Sequence, residues 1–101
     1  MQTVVYSTLQ DEKKRNLEMQ ETYMQEIMSL PKGSIVVKNV SGNNYYYLKY
    51  RLNEKTKTDY LGKDKEVVEK IKREIEKRKY LQDVLKRLRL EYKQICKIVK
   101  D

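Results

Sequence analysis

The chain has 101 residues, of which 38% are charged, and its formal net charge at neutral pH is +8. This length allows one domain with a modest core, so we expect residues 1–101 to form a single domain. There is no histidine and only one cysteine, which excludes histidine-based proton transfer, an internal disulfide and a cysteine-based zinc site. The positive charge favours an anionic partner, and solubility alone is the alternative explanation.

The first predicted element is a helix over residues 8–30, because this segment is rich in Glu, Gln, Met and Lys. Pro31 ends it, since the residue before a proline disfavours the helical conformation. The net charge is −2 over residues 1–31, +4 over residues 32–62 and +6 over residues 63–101. We therefore expect the cationic surface to lie on the later elements, and the acidic first helix to pack against the last helix.

The next segment, residues 34–62, is predicted to form a three-stranded antiparallel sheet. It is rich in β-branched residues and tyrosine, and it is divided by polar turn residues. The predicted parts are a strand at 34–40, a two-residue hairpin turn at Gly42-Asn43, a strand at 44–53, a loop at 54–56 and a strand at 57–61.

The second strand has two different faces, because side chains alternate along a strand. One face, here called the apolar face, carries Tyr46, Leu48, Tyr50 and Leu52. The opposite face, here called the cationic face, carries Tyr45, Tyr47, Lys49 and Arg51.

Pairing through the predicted turns assigns the other two strands to these faces. The turn at residues 42–43 sets Val37 opposite Leu48, which keeps apolar residues together. The same register sets Lys38 opposite Tyr47 on the cationic face. A three-residue loop before the third strand places Tyr60 on the apolar face, whereas a loop that differs by one residue would turn the third strand over.

The last predicted element is one long helix over residues 64–99, with an apolar stripe at three- and four-residue spacing. The stripe changes phase near Arg78, which predicts a bend or a change of packing partner. We expect its first half to cover the sheet and its second half to pair with the first helix or, in a homodimer, with a second copy. Cys96 lies in the stripe, which predicts a buried thiol. The predicted fold is therefore α+β: an N-terminal helix, a three-stranded antiparallel sheet and a long C-terminal helix.

The sequence shows no catalytic machinery. It has no glycine-rich phosphate loop, and its carboxylates mostly alternate with Lys and Arg along predicted helices, as solvated ion pairs do. We therefore predict a protein that is not an enzyme and that uses no metal and no cofactor. The N-terminus has no signal-peptide pattern and no apolar run has membrane-spanning length, which predicts no membrane partner and a cytoplasmic location (the host cytosol for a viral gene).

Two groups of residues are candidates for binding DNA or RNA. The rings and cations of the cationic face can contact bases and phosphates, unless a helix covers that face and leaves only its rim basic. The cations of the last helix can follow a phosphate backbone, unless they form a solvated surface beside an acidic partner. The candidates are Lys38, Tyr45, Tyr47, Lys49, Arg51 and, at the edge, Lys57 on the sheet, and Lys77, Arg78, Lys86, Arg87 and Arg89 on the helix.

Residues 30–34, LPKGS, and the tyrosine-rich pattern YYYLKYR…KxKxxYLGK at residues 45–63 resemble a family of small uncharacterised proteins from phages and mobile elements. This resemblance covers about residues 30–92 and implies no assigned activity. About residues 43–75 also resemble the arm-binding N-terminal domain of tyrosine recombinases, whose three-stranded sheet enters the DNA major groove. That resemblance implies DNA contacts from the exposed sheet face and no strand cleavage, because the sequence carries no recombinase catalytic domain.

These observations predict a small non-enzymatic nucleic-acid-binding protein of a phage or mobile element. The alternative belongs to another class: an anti-defence inhibitor, similar to anti-CRISPR proteins, that binds a host protein complex which handles nucleic acid. Retention of a protein partner after nuclease treatment of a host lysate favours the inhibitor.

Overall fold

The computed structural model describes residues 4–99 of the protein. In chain order it has helix α1 (Val4–Ser29), strands β1 (Ser34–Val40), β2 (Asn43–Leu52) and β3 (Lys55–Gly62), and helix α2 (Lys65–Ile98). The strands form one antiparallel sheet in the order β1-β2-β3. The predicted α+β fold, with one helix before the sheet and a long helix after it, is confirmed.

The ends of the elements follow from local chemistry. α1 ends at Ser29, two positions before Pro31, as expected from the restricted backbone before a proline. Asp64 caps α2, because its Oδ1 accepts a hydrogen bond from the backbone N–H of Glu66 at 2.9 Å. Gly62 ends β3 with a φ of 100°, a conformation that glycine adopts easily.

Both connections in the sheet are two-residue turns with positive φ at both central residues, as in type I′ hairpins. The values are 53° and 81° at Ser41 and Gly42, and 51° and 66° at Asn53 and Glu54. The predicted turn at residues 42–43 is therefore wrong by one position, because glycine belongs at the second central position of this turn type. The predicted three-residue loop at 54–56 is also wrong, since Asn53 tolerates the left-handed conformation and starts the turn one residue earlier.

The two corrections have different consequences for the faces of the sheet. In β1, Val37 pairs with Tyr46 rather than with Leu48. This is a shift of two residues, so the side chains of β1 keep their predicted faces. In β3, Tyr60 pairs with Tyr47 rather than with Tyr50. That shift is an odd number of residues, so the whole of β3 presents the opposite face from the one predicted.

Glu54→Gly is expected to raise the free energy of unfolding by about 0.5–1 kcal/mol. The left-handed conformation costs a residue with a side chain roughly 1–2 kcal/mol, and glycine avoids this cost. Part of the stabilisation is offset, because glycine has more conformational freedom to lose when the chain folds. Arg51 Nη2 donates to the backbone carbonyl of Glu54 at 3.2 Å, a contact that the substitution leaves in place. Urea denaturation measures the change. Glu54→Ala is the control, because it removes the carboxylate and keeps the Cβ; an equal gain from alanine would contradict the explanation.

One compact unit joins α1 to the part of α2 from Tyr80 onward. Asn16 is buried in this unit, where its Nδ2 donates to the carbonyl oxygen of Leu88 at 3.0 Å and its Oδ1 accepts from Gln20 at 2.6 Å. The amide is thus hydrogen-bonded through both polar atoms, which avoids the cost of an unpaired buried group. The bond to Leu88 confirms the predicted pairing of the first helix with the second half of the last. The buried apolar side chains of this unit are Ile27, Leu81, Leu85, Leu88 and Val99.

The other compact unit holds residues 30–79, which include the sheet and the first part of α2. Val68 and Ile75 are buried there, and Ile75 lines the same cleft as Ile35 of β1. Ile35 pairs with Leu48 and so lies on the apolar face, which is therefore the face that meets α2. The boundary between the units falls after Lys79, next to the position where the phase change in the stripe predicted a new packing partner.

Candidate nucleic-acid interface

The cationic face of the sheet holds the five residues that the period-2 pattern assigned to it. Tyr45, Tyr47, Lys49 and Arg51 alternate along β2, and Lys38 of β1 pairs with Tyr45. Lys49 and Arg51 are exposed, whereas both tyrosines are half-buried. The face thus combines accessible cations with rings that are packed among their neighbours.

One end of the cationic face is a cluster of three tyrosine rings, here called the ring cluster and formed by Tyr45, Tyr47 and Tyr60. The centroid of the Tyr60 ring lies 5.3 Å from that of Tyr47 and 6.4 Å from that of Tyr45, in tilted arrangements. Lys38 Nζ lies 4.9 Å from the centroid of Tyr47, and Lys63 Nζ lies 4.8 Å from that of Tyr45. At these distances the ammonium groups are attracted by the ring quadrupoles, which keeps positive charge beside the rings.

The other end of the face carries Lys49 and Arg51 among hydroxyl groups. The hydrogen bond from Arg51 to the carbonyl of Glu54 uses one donor of the guanidinium and orients it. On β1, β2 and β3 no strand position of this face carries a carboxylate. The hydroxyl residues that pair with Lys49 and Arg51 are Ser34, Thr56 and Thr58.

Lys57 does not belong to this face. It was predicted at the edge of the cationic face, but it pairs with Tyr50 and lies on the apolar face, because the second turn has two residues rather than three. Asp59 lies on the same side as Lys57, and its carboxylate accepts a hydrogen bond from the Tyr50 hydroxyl. This hydrogen bond is the main cause that raises the pKa of Tyr50, and burial and the negative charge of Asp59 raise it further. Asp59 is the only carboxylate residue within the three strands, and it lies on the side of the sheet opposite the cationic face.

Two residues of this face, Tyr60 and Lys63, were missed by sequence reasoning. Tyr60 was assigned to the apolar face because of the wrong loop length. A signal for the shorter turn was present, since Asn53 readily takes positive φ and can be the first central residue of a two-residue turn. Lys63 follows β3, beyond the irregularity in pairing between Tyr46 and Tyr47, so strand periodicity does not predict its contact with Tyr45.

The predicted helix cations are divided between the two compact units. Lys77 and Arg78 belong to the unit of residues 30–79, and the others belong to the unit that contains α1. Arg78 is half-buried, and its Nη1 donates to the carbonyl oxygen of Leu30 at 2.7 Å. Arg87 pairs with Asp83 at 3.4 Å. Exposed positions on the second half of α2 are occupied by Lys86 and Arg89.

Among residues 4–99, no helix is both long enough and apolar enough to cross a membrane. The same residues contain no group of three or more Cys, Asp or Glu side chains arranged to hold a metal ion. Cys96 is a free thiol and is half-buried, whereas the apolar stripe predicted a buried thiol.

The fold and this surface describe a small α+β protein with an aromatic and cationic sheet face. A family model described as a domain of unknown function (DUF6788) matches residues 8–73, which is more than half of the chain, so the protein belongs to this family. The matched span contains the whole sheet and therefore the ring cluster together with Lys49 and Arg51. No curated protein and no solved structure matches the chain.

Proposed function

We propose that the protein binds nucleic acid, without enzymatic activity, through the cationic face of its sheet. The observation that carries the proposal is the exposure of Lys49 and Arg51 beside the ring cluster, on a face whose strand positions carry no carboxylate. Its setting in a phage or mobile element, and a cytosolic location, stay predictions from the sequence.

The chemistry of the two ends of the face suits the two parts of a nucleotide. Lysine and arginine neutralise phosphates and release condensed counterions, which supplies most of the affinity in non-specific binding. Aromatic rings can stack with bases or pack against sugars. A ligand that lies along the face can therefore place its backbone over Lys49 and Arg51 and its bases over the ring cluster.

The proposal rests on the sheet rather than on the helix cations, of which two have partners within the protein while Lys86 and Arg89 are exposed. Arg78 bonds to the carbonyl of Leu30, and Arg87 pairs with Asp83. The pair of Arg87 with Asp83 fits the alternative of a solvated surface for the basic stretches of α2.

The test is a salt titration of binding to a fluorescein-labelled oligonucleotide of mixed sequence, followed by fluorescence anisotropy. We expect binding at about 50 mM salt and a linear fall of log affinity with log salt, with a slope of roughly −0.7 to −0.9 for each phosphate neutralised. Absence of binding at that salt, to both single strands and duplexes, would overturn the proposal. A host protein retained after nuclease treatment, without oligonucleotide binding, would replace it with the inhibitor alternative.

A further inference from the structure

We infer that the ligand of the cationic face is a single strand rather than a duplex, and that an unpaired base stacks on Tyr60. This inference rests on the proposed function and names the form of nucleic acid that the same surface takes.

The first argument is the accessibility of the three rings. Tyr45 and Tyr47 are half-buried, and each has a lysine ammonium group over its ring. Tyr60 contacts both of them and is nevertheless 58% exposed. The cluster therefore presents one accessible ring that its two neighbours hold in place.

The second argument is what such a ring can bind. In a duplex both faces of each base are covered by neighbouring bases, so a protein ring stacks only on bases that are unpaired or displaced. A sheet that reads a duplex in the major groove instead presents long polar side chains to the base edges. Here Lys49 and Arg51 lie at one end of the face, and at the other end the long side chains of Lys38 and Lys63 lie over tyrosine rings.

The third argument is the match between the rest of the face and a nucleic-acid backbone. Lys49 pairs with Thr58 and Arg51 with Thr56 across the two strands, so each cation has a hydroxyl group opposite it. Phosphate and sugar oxygens accept hydrogen bonds from both kinds of donor. A strand whose backbone passes over this end can extend a base to Tyr60, since the pairs of Lys49 and Tyr47 are successive on the same face.

The experiment compares a fluorescein-labelled oligo-dT of about 16 nucleotides with a duplex of the same length. We expect the single strand to bind more tightly at equal salt. Tyr60→Ala should weaken single-strand binding by about 5- to 150-fold, which corresponds to the loss of one stacked base. The same substitution should leave the salt slope unchanged, because it removes no cation.

Three controls make the result specific. Tyr60→Phe keeps the ring and should retain wild-type affinity. Tyr80→Ala removes a tyrosine of α2 that is 66% exposed and should also bind normally. Circular dichroism at the assay temperature checks that Tyr60→Ala is folded. If it is not, the question is decided by the quenching of tyrosine fluorescence by oligo-dT, which should be larger in the wild type than in Tyr60→Phe.

The outcomes distinguish this inference from the proposal on which it rests. Tighter binding to the duplex, or equal single-strand binding by folded Tyr60→Ala and the wild type, would overturn the stacked single strand and leave nucleic-acid binding in place. Absence of any quenching of tyrosine fluorescence when oligo-dT binds the wild type would count against stacking in the same way. Failure to bind either probe would overturn both.

Discussion

Gly33→Ala is expected to lower the free energy of unfolding by about 3 kcal/mol or more, the largest effect of any single substitution considered. Gly33 has a φ of 112°, which side chains rarely adopt. A Cβ at this position would also overlap the carbonyl oxygen of Lys49 and lie 2.9 Å from the Cβ of Tyr50. Both obstacles are formed by β2, whose position is fixed by strands on either side, so relaxation is limited.

Gly42→Ala is the matched control for this prediction. Gly42 also has a positive φ, of 81°, but a Cβ there would meet no atom within 4 Å. Its replacement by alanine should lower the free energy of unfolding only by the cost of holding a side chain in the left-handed conformation, roughly 1–2 kcal/mol. Chemical denaturation of both variants measures the difference, which reports the steric overlap at Gly33 together with the larger departure of its φ from the left-handed region. Equal losses would show that the approach of Gly33 to β2 is not close enough to matter.

The double variant Lys49→Ala, Arg51→Ala is expected to lose most of the affinity for nucleic acid. Removal of two phosphate contacts should reduce the magnitude of the salt slope by about 1.5, which corresponds to roughly 30-fold in affinity at about 0.1 M salt. The sheet should remain folded, because both side chains are exposed. Anisotropy titrations over a range of salt concentrations measure both quantities.

The matched control removes the same charge from the same sheet. Lys55 and Lys57 are exposed residues of β3 that pair with Leu52 and Tyr50, so they lie on the apolar face. Lys55→Ala, Lys57→Ala should keep the affinity within about 3-fold, because these lysines lie on the opposite face of the sheet and make no phosphate contact on the cationic face. If the two double variants lost affinity equally, net charge rather than the cationic face would be responsible.

The sequence predicts the helices, the sheet and the two faces of β2 well, for physical reasons. Helical and strand periods are properties of segments rather than of single residues, and the second half of β2 alternates between apolar and cationic side chains from Leu48 to Leu52. Pro31 marks the end of α1 without ambiguity. The phase change near Arg78 also predicts the change of packing partner within α2, since a stripe can face only one partner at a time.

Which residues make up the cationic face depends on features that the strand and helix periods of the sequence do not reveal. The face of β3 depends on the number of residues in one turn, and Glu54 is an unusual residue to hold positive φ, so the shorter turn was not favoured by propensity. The contact between Lys63 and Tyr45 depends on an irregularity in strand pairing. The bond from Arg78 to Leu30 joins residues 48 positions apart, and only the folded chain brings them together.

The two-residue connection between β2 and β3 has a consequence for how this protein can change over evolution. Surface turns ordinarily tolerate insertions and deletions. An added residue that lengthens the turn and leaves Leu52 paired with Lys55 would keep each side chain of β3 on its present side. A slip of β3 by one residue against β2 would instead exchange Tyr60 for Asp59 on the side of Lys49, and would place a negative charge where a phosphate is proposed to bind. We therefore expect related chains with an intact surface to vary in the length of this turn while they keep the present register of β2 and β3.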